Sequence, residues 1–227
     1  VTVALTGTSL KITDQVKNQG TLTSAGTFRI DYYISADGQI TTSDLLVGSR
    51  TVSASLAYNA TNSGSVTVAI PASVTPGTWK AGVIVDAGGA VSELLETNNA
   101  KDSGGIVLRP DLTASAVSAT ASGRTVTVTN TVRNDGAFAT AAPVKVFVYL
   151  SVDNSIRGTD TKVAERTIPA GLAPGASSTA VTTATVPASL PAGAYYAGIW
   201  ADKTGAVSEV TESNNKKATG GTITVSP

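Results

Sequence analysis

The sequence predicts an all-β chain: two immunoglobulin-like antiparallel β-sandwiches in tandem, about seven strands each. Three observations carry that prediction. Apolar and polar residues alternate with period two along most of the 227 residues, which is the spacing of half-buried strands. Gly, Pro, Asn and Asp interrupt the alternation at short intervals and leave no room for a helical period. One pattern also occurs twice. Trp79-Lys80-Ala81-Gly82-Val83-Ile84-Val85-Asp86, running on through Glu93 and Glu96 to Asn98-Asn99, returns as Tyr195-Tyr196-Ala197-Gly198-Ile199-Trp200-Ala201-Asp202, then Glu209, Glu212 and Asn214-Asn215.

The copies run without a gap, Trp79 matching Tyr195 116 positions later. Ungapped duplication divides the chain into residues 1–109 and 110–227, each long enough to bury a core without disulfides. Arg109-Pro110-Asp111 is the junction, short and stiffened by proline.

In the first copy, Leu10, Ile12 and Val16 alternate with Lys11, Thr13 and Lys17, and Asp14 falls on the apolar side as an anomaly. Phe28 to Ile34 is the next strand, with Phe28, Ile30, Tyr32 and Ile34 inward. Leu45 to Val52 follows, then a strand carrying Val66, Val68 and Ile70. Pro71 stops that strand, and Pro76-Gly77 turns the chain into the Trp79 strand. Gly104-Gly105 introduces a last strand from Ile106 to Leu108. In the second copy Val132-Arg133-Asn134-Asp135-Gly136 matches Val16-Lys17-Asn18-Gln19-Gly20, and Gly220-Gly221 matches Gly104-Gly105. Gly82 and Gly198, each in mid-strand, predict a bulge or a close approach of another group.

Composition excludes several function classes. Sixteen basic and sixteen acidic residues cancel, so nothing favours capture of nucleic acid or an acidic membrane. The strand charges, Arg124 and Arg133 among them, read as solvated outward positions. With no Cys and no His, thiolate sites, cysteine nucleophiles and the usual general base are missing. The sequence therefore predicts a protein that is not an enzyme. No apolar run of membrane-spanning length occurs. The lack of both a signal peptide and any Met reads as a processed portion of a longer precursor. The Val, Thr, Ala, Ser and Gly content suits an extracellular or cell-surface protein.

Candidate sites fall into three groups. Ser35, Asp37, Gly38, Ile40 and Asp44 have the spacing of the later part of a calcium loop, repeated as Ser151, Asp153, Asn154, Ile156 and Asp160. The metal candidates are thus Asp37, Asp44, Asp153 and Asp160; the alternative is an Asx turn with Ile40 and Ile156 plugging the core. The second group is Asp86, Glu93, Glu96, Asn98 and Asn99 with its twins. Calcium binding, paired-carboxylate hydrolysis and plain capping of backbone N–H groups all remain open for it. The third group is aromatic. Phe147, Tyr149, Tyr196 and Trp200 should lie exposed on one outer sheet face, where the first copy has Asp31, Tyr33, Lys80 and Ile84. Such a platform would contact a partner protein or stack on a glycan.

Asp111-Leu112-Thr113, Val132 to Gly136, Tyr149-Leu150-Ser151-Val152-Asp153 and Glu212-Ser213-Asn214-Asn215 together resemble the cell-adhesion-related domain found in bacteria, CARDB. The first copy does so through Val16 to Gly20, Tyr33 to Gly38 and Glu96-Thr97-Asn98-Asn99. The resemblance implies tandem immunoglobulin-like modules of secreted or surface proteins, non-catalytic, whose partners are other protein chains or neighbouring domains. One departure matters. The family's first strand is present at Asp111 to Ala116, but the first copy begins at Val1, equivalent to Val117, and has no counterpart. Either the segment is a fragment or Val1 to Leu5 suffices. A further reading is that the first domain carries an unpaired edge that accepts a strand from another chain, as in a self-assembling fibre or layer subunit.

Overall fold

The computed structural model describes residues 1–53 and 55–227. It resolves into two units, Val1–Leu108 and Arg109–Pro227, each an antiparallel sandwich of immunoglobulin type.

In unit 1, β1 (Thr2–Thr6), β2 (Ser9–Lys17) and β5 (Thr61–Ala69) form one sheet in the order β1-β2-β5. Across the core, β3 (Phe28–Ser35), β4 (Leu45–Val52), β6 (Gly77–Val85) and β7 (Ala100–Leu108) form the other, in the order β4-β3-β6-β7. The inward side chains are the expected ones: Leu10, Ile12, Phe28, Ile30, Tyr32 and Ile34 are buried. Gly104-Gly105 does not precede the last strand but lies inside β7, which begins at Ala100. Pairing with β6 from Ile84↔Ala100 to Gly77↔Leu108 carries β7 across both glycines.

Unit 2 repeats this plan with β8 (Leu112–Ser122), β9 (Thr125–Asn134) and β12 (Ser177–Thr185) in one sheet. The facing sheet holds β10 (Val144–Ser151), β11 (Thr161–Ile168) and β13 (Gly193–Ala201). Here the final strand is split around Gly220-Gly221 into β14 (Lys216–Ala218) and β15 (Ile223–Val225), both on β13. Arg124, expected to be solvated, donates to the carbonyls of Val186 (3.2 Å), Leu190 (2.8 Å) and Pro187.

The Asp14 anomaly is resolved by a buried polar bridge between the two sheets of unit 1. Its carboxylate accepts from Arg50 Nη2 (2.5 Å) and Nε (3.0 Å) on β4, and from the Tyr32 hydroxyl (2.5 Å) on β3. Arg50 continues to Asn62 Oδ1 on β5 at 2.6 Å. The Asp14 hydrogen bonds hold the guanidinium above its usual pKa, while burial, reinforced by Asp14, pushes the Tyr32 phenol up. Unit 2 solves the same position without a carboxylate. Asn130 Oδ1 accepts from Arg166 Nε at 2.8 Å, and Val148 replaces the tyrosine. Burial then lowers the Arg166 pKa instead of raising it.

A buried ion pair contributes little net stability, but deleting one partner strands the other charge, at a cost of about 3–5 kcal/mol. Asp14→Ala should therefore lower the stability of unit 1 by about that amount, and Asp14→Asn, which copies Asn130, by clearly less. Native-state hydrogen exchange, which reads the two units separately, checks both; equal losses for the two variants would contradict the bridge as described.

Candidate functional site

The connection after β6, and its twin after β13, is built on one strained residue. Asp86 (φ 49°) and Asp202 (φ 46°) adopt left-handed backbone, a conformation that Asp tolerates better than most residues. The carboxylate of Asp86 accepts from the N–H groups of Ala90 (2.9 Å) and Val91 (2.7 Å). Asp202 does the same for Ala206 (3.0 Å) and Val207 (2.8 Å). These are backbone caps, which stiffen the connection. The left-handed geometry falls on the aspartates, whereas Asn99 is right-handed (φ −80°, ψ −13°) at the end of the 3-10 turn Glu96–Asn98.

Beyond the cap the two units part. In unit 2 Glu209 is 5% exposed and accepts the N–H of Leu112, on the first strand, at 2.5 Å. Its other oxygen accepts from Asn215 Nδ2 at 3.0 Å. Asn214 completes the clasp: its carbonyl accepts from Ala114 N–H (3.2 Å), and its amide donates to Asp111 Oδ1 (3.1 Å). Burial pushes the Glu209 pKa up to about 8, with Glu212 and Asp202 adding repulsion against the donated N–H bonds. In unit 1 the matching loop makes no such contact among the described residues. Glu93 is exposed and takes only Asn99 Nδ2 at 2.6 Å. The unlike burial of two matching glutamates has no sequence signal of its own. The residues that bury Glu209, Asp111 to Ala114, lie about a hundred positions earlier in the chain, outside the loop.

The four aromatics do share one sheet face: Phe147 pairs with Trp200, Tyr149 with Gly198 and Ser151 with Tyr196. They do not form the exposed platform expected from sequence. Phe147 is 9% exposed and Tyr149 3%, and Tyr196 and Trp200 are half-buried. Ile156 packs with Phe147, Tyr149 and Trp200. Lys162 sits 4.3 Å from the Phe147 ring centre, Lys216 4.0 Å from that of Trp200, and Lys203 5.2 Å from Trp200. Lys203 also donates to the Tyr149 hydroxyl at 3.0 Å. The result is a small second core under cation–π lids, not a flat surface for sugar stacking. Ile156 explains Gly198, because a Cβ there would lie 2.3 Å from the Ile156 side chain; Gly82 stands to Ile40 in the same way at 2.4 Å.

The four metal candidates lie in turns that use their oxygens locally. Asp37 Oδ1 accepts from Gln39 N–H (3.0 Å) and Ser35 Oγ (2.8 Å), and these bonds hold its pKa below the ordinary value. Asp153 accepts from Ser155 N–H (2.9 Å) and from Arg157 Nη1 (2.7 Å), which lowers its pKa. Asp44 accepts from Thr41 N–H (2.7 Å), and Asp160 from Arg157 N–H (2.6 Å) and Ser151 Oγ (3.1 Å). Among the described residues, no three acidic side chains gather around one point.

Fold and loops define a class: paired β-sandwich modules with self-capped connections. A model of the CARDB family matches residues 1–103 and again 109–219, so the chain belongs to the CARDB family, whose domains are non-catalytic, adhesion-related modules. No curated protein matches it. Among solved structures it is similar to the CARDB domain of the PF1109 protein from Pyrococcus furiosus, in complex with di-metal ions. That likeness is 21% identity over 52% of this chain and 89% of the other, with a TM-score of 0.39. Red sea bream transglutaminase matches at 14% identity over 98% of this chain and 30% of its own, with a TM-score of 0.42. No helix among the described residues is long and apolar enough to cross a membrane.

Two outcomes follow from these geometries. A Glu209 pKa raised from 4.5 to about 8 stabilises unit 2 fully below pH about 4.5 and loses that contribution as pH rises through about 8. Glu209→Gln should flatten the fall in unit 2 melting temperature between pH 5 and 9. Its amide can donate to Asn215 Oδ1, which is buried without a partner, after that side chain turns over. A slope unchanged by the substitution would place the titration elsewhere. Because Asp37, Asp44, Asp153 and Asp160 already hold the backbone of their own turns, calcium against chelator should move the melting temperature by no more than about 1 °C, and a larger rise would assign these aspartates a cation.

Proposed function

We propose that this chain is an extracellular structural and adhesive module that works through protein contact, and that copies of it associate at the cell surface into a fibre or layer. Contact is made by strand edges and outer sheet faces, with no bond chemistry. The observation that supports this reading is a pair of sheet edges: among the described residues β5 pairs only with β2 and β12 only with β9, and neither strand carries a charged side chain to guard it. An uncovered edge is a template for another chain. Zero net charge sets no electrostatic barrier against close approach of copies.

Sedimentation velocity over on the order of 1 µM to 1 mM, followed by electron micrographs of the concentrated sample, tests the reading. The expected result is a sedimentation coefficient that climbs with concentration and ordered particles at the upper end. A single monomeric species throughout would remove self-assembly.

A further inference from the structure

The turn that leads into β5 has a close counterpart ahead of β12, and the two differ at one informative position. In unit 1 Ala60 N–H donates to the Ala57 carbonyl (3.0 Å), Asn59 N–H to the Asn18 carbonyl (2.9 Å) and Asn18 N–H to the Ala60 carbonyl (3.0 Å). In unit 2 the same three bonds run from Ala176 to Ala173 (3.0 Å), from Gly175 to Asn134 (2.7 Å) and from Asn134 to Ala176 (3.0 Å). Asn59 and Gly175 are both left-handed, at φ 63° and 74°. Glycine takes that conformation freely, and asparagine is among the few other residues that tolerate it. Unit 2 uses the glycine. Unit 1 uses the asparagine, and Asn59-Ala60-Thr61 thereby becomes the one Asn-x-Ser/Thr triplet of the chain, with a residue other than proline in the middle.

The setting gives access to the triplet. Tyr58, at 64% exposure, and Asn59 stand out in solvent, while the Asn59 main chain is pinned to Asn18. Thr61 opens β5 opposite Lys17, and its side chain is exposed. Asparagines that serve the fold use their amides inside it: Asn18 Nδ2 donates to the carbonyls of Leu22 and Leu56 at 2.8 Å each, and Asn130, Asn134 and Asn215 are buried.

We propose that Asn59 is a glycosylation site, at which the carboxamide nitrogen receives an oligosaccharide from a polyprenyl diphosphate-linked donor. The inference rests on the cell-surface reading above, because such transfer acts on surface turns of exported chains. Asn59 Nδ2 forms a bond to the anomeric carbon of the sugar. The bond from that carbon to the diphosphate oxygen breaks with its electron pair, the polyprenyl diphosphate leaves, and one amide proton passes to a base of the transferase. The Thr61 hydroxyl, two residues on, is the second group the acceptor must present.

The test takes the chain from its own source, with protease treatment of intact cells fixing its location first. Trypsin cleavage after Arg50 and Lys80 isolates residues 51–80. Mass spectrometry should find sugar on this peptide, and fragmentation that preserves side-chain adducts should place it on Asn59. Asn59→Gly, which copies Gly175, should lose the added mass entirely. Thr61→Val, which keeps the acceptor amide and a β-branched strand residue, should lose it as well, and Thr61→Ser should keep it. A bare Asn59 on a chain found at the surface would overturn the site alone. Sugar that persists on the peptide in Asn59→Gly, or on Asn59 in Thr61→Val, would overturn it too. A chain confined to the cytoplasm would remove the surface reading together with the site.

Discussion

The hydrogen bond from Leu112 N–H to the Glu209 carboxylate, 2.5 Å long and spanning 97 residues of sequence, is the contact on which the rest of unit 2 turns. A sandwich edge carries backbone groups that must be paired or wetted. β8 meets that demand on both sides, with β9 along one and the loop from Glu209 to Asn214 along the other. With the strand seated, Leu112 and Ala114 close the end of the core, Glu209 loses its water, and Asn215 is buried with it. Glu93, the twin of Glu209 in unit 1, is exposed. Matching residues in matching turns thus take opposite environments, and the residues that bury Glu209 lie outside its own loop.

The strand framework was legible because alternation is a local property. Leu45–Val52 coincides with the strand read from sequence, and the pairing of β3 with β6 follows from the immunoglobulin plan. Asp14 announced itself as a carboxylate on an apolar face, and the mid-strand glycines announced a close neighbour. Their partners, Arg50 and Tyr32 for the first and Ile40 and Ile156 for the second, come from other strands and loops, beyond the reach of a periodicity argument. The aromatic face shows the same division. Its parity was readable and its exposure was not, because the covering lysines arrive from β11, the turn after β13 and β14. Strand ends failed for a related reason: pairing with β6 carries β7 across Gly104-Gly105, whereas in unit 2 the chain breaks at the equivalent glycines.

The two units also show one frame stabilised by different chemistry. Between its sheets unit 1 places a charged triad, Asp14, Arg50 and Tyr32, whereas unit 2 uses Asn130 and Arg166 around a neutral core. On the outer sheet face the balance reverses. Unit 1 buries Asp31 beside Arg29 at 2.7 Å, and unit 2 assembles aromatics under lysines. Each unit therefore carries polar groups on both sides of the large sheet, and the two differ in which groups they use.

What unites these arrangements is rigidity of the parts that face outward. Asp86 and Asp202 cap their own turns, Asp37 and Asp153 hold theirs, and Ile40 and Ile156 pin the long loops to the sheet. A surface whose loops are already ordered loses little conformational entropy when it meets a partner. For a module without chemistry of its own, affinity then depends on which backbone edges and apolar rims are left uncovered. Among the described residues the uncharged outer edges of β5 and β12 are such places, each paired on one side only.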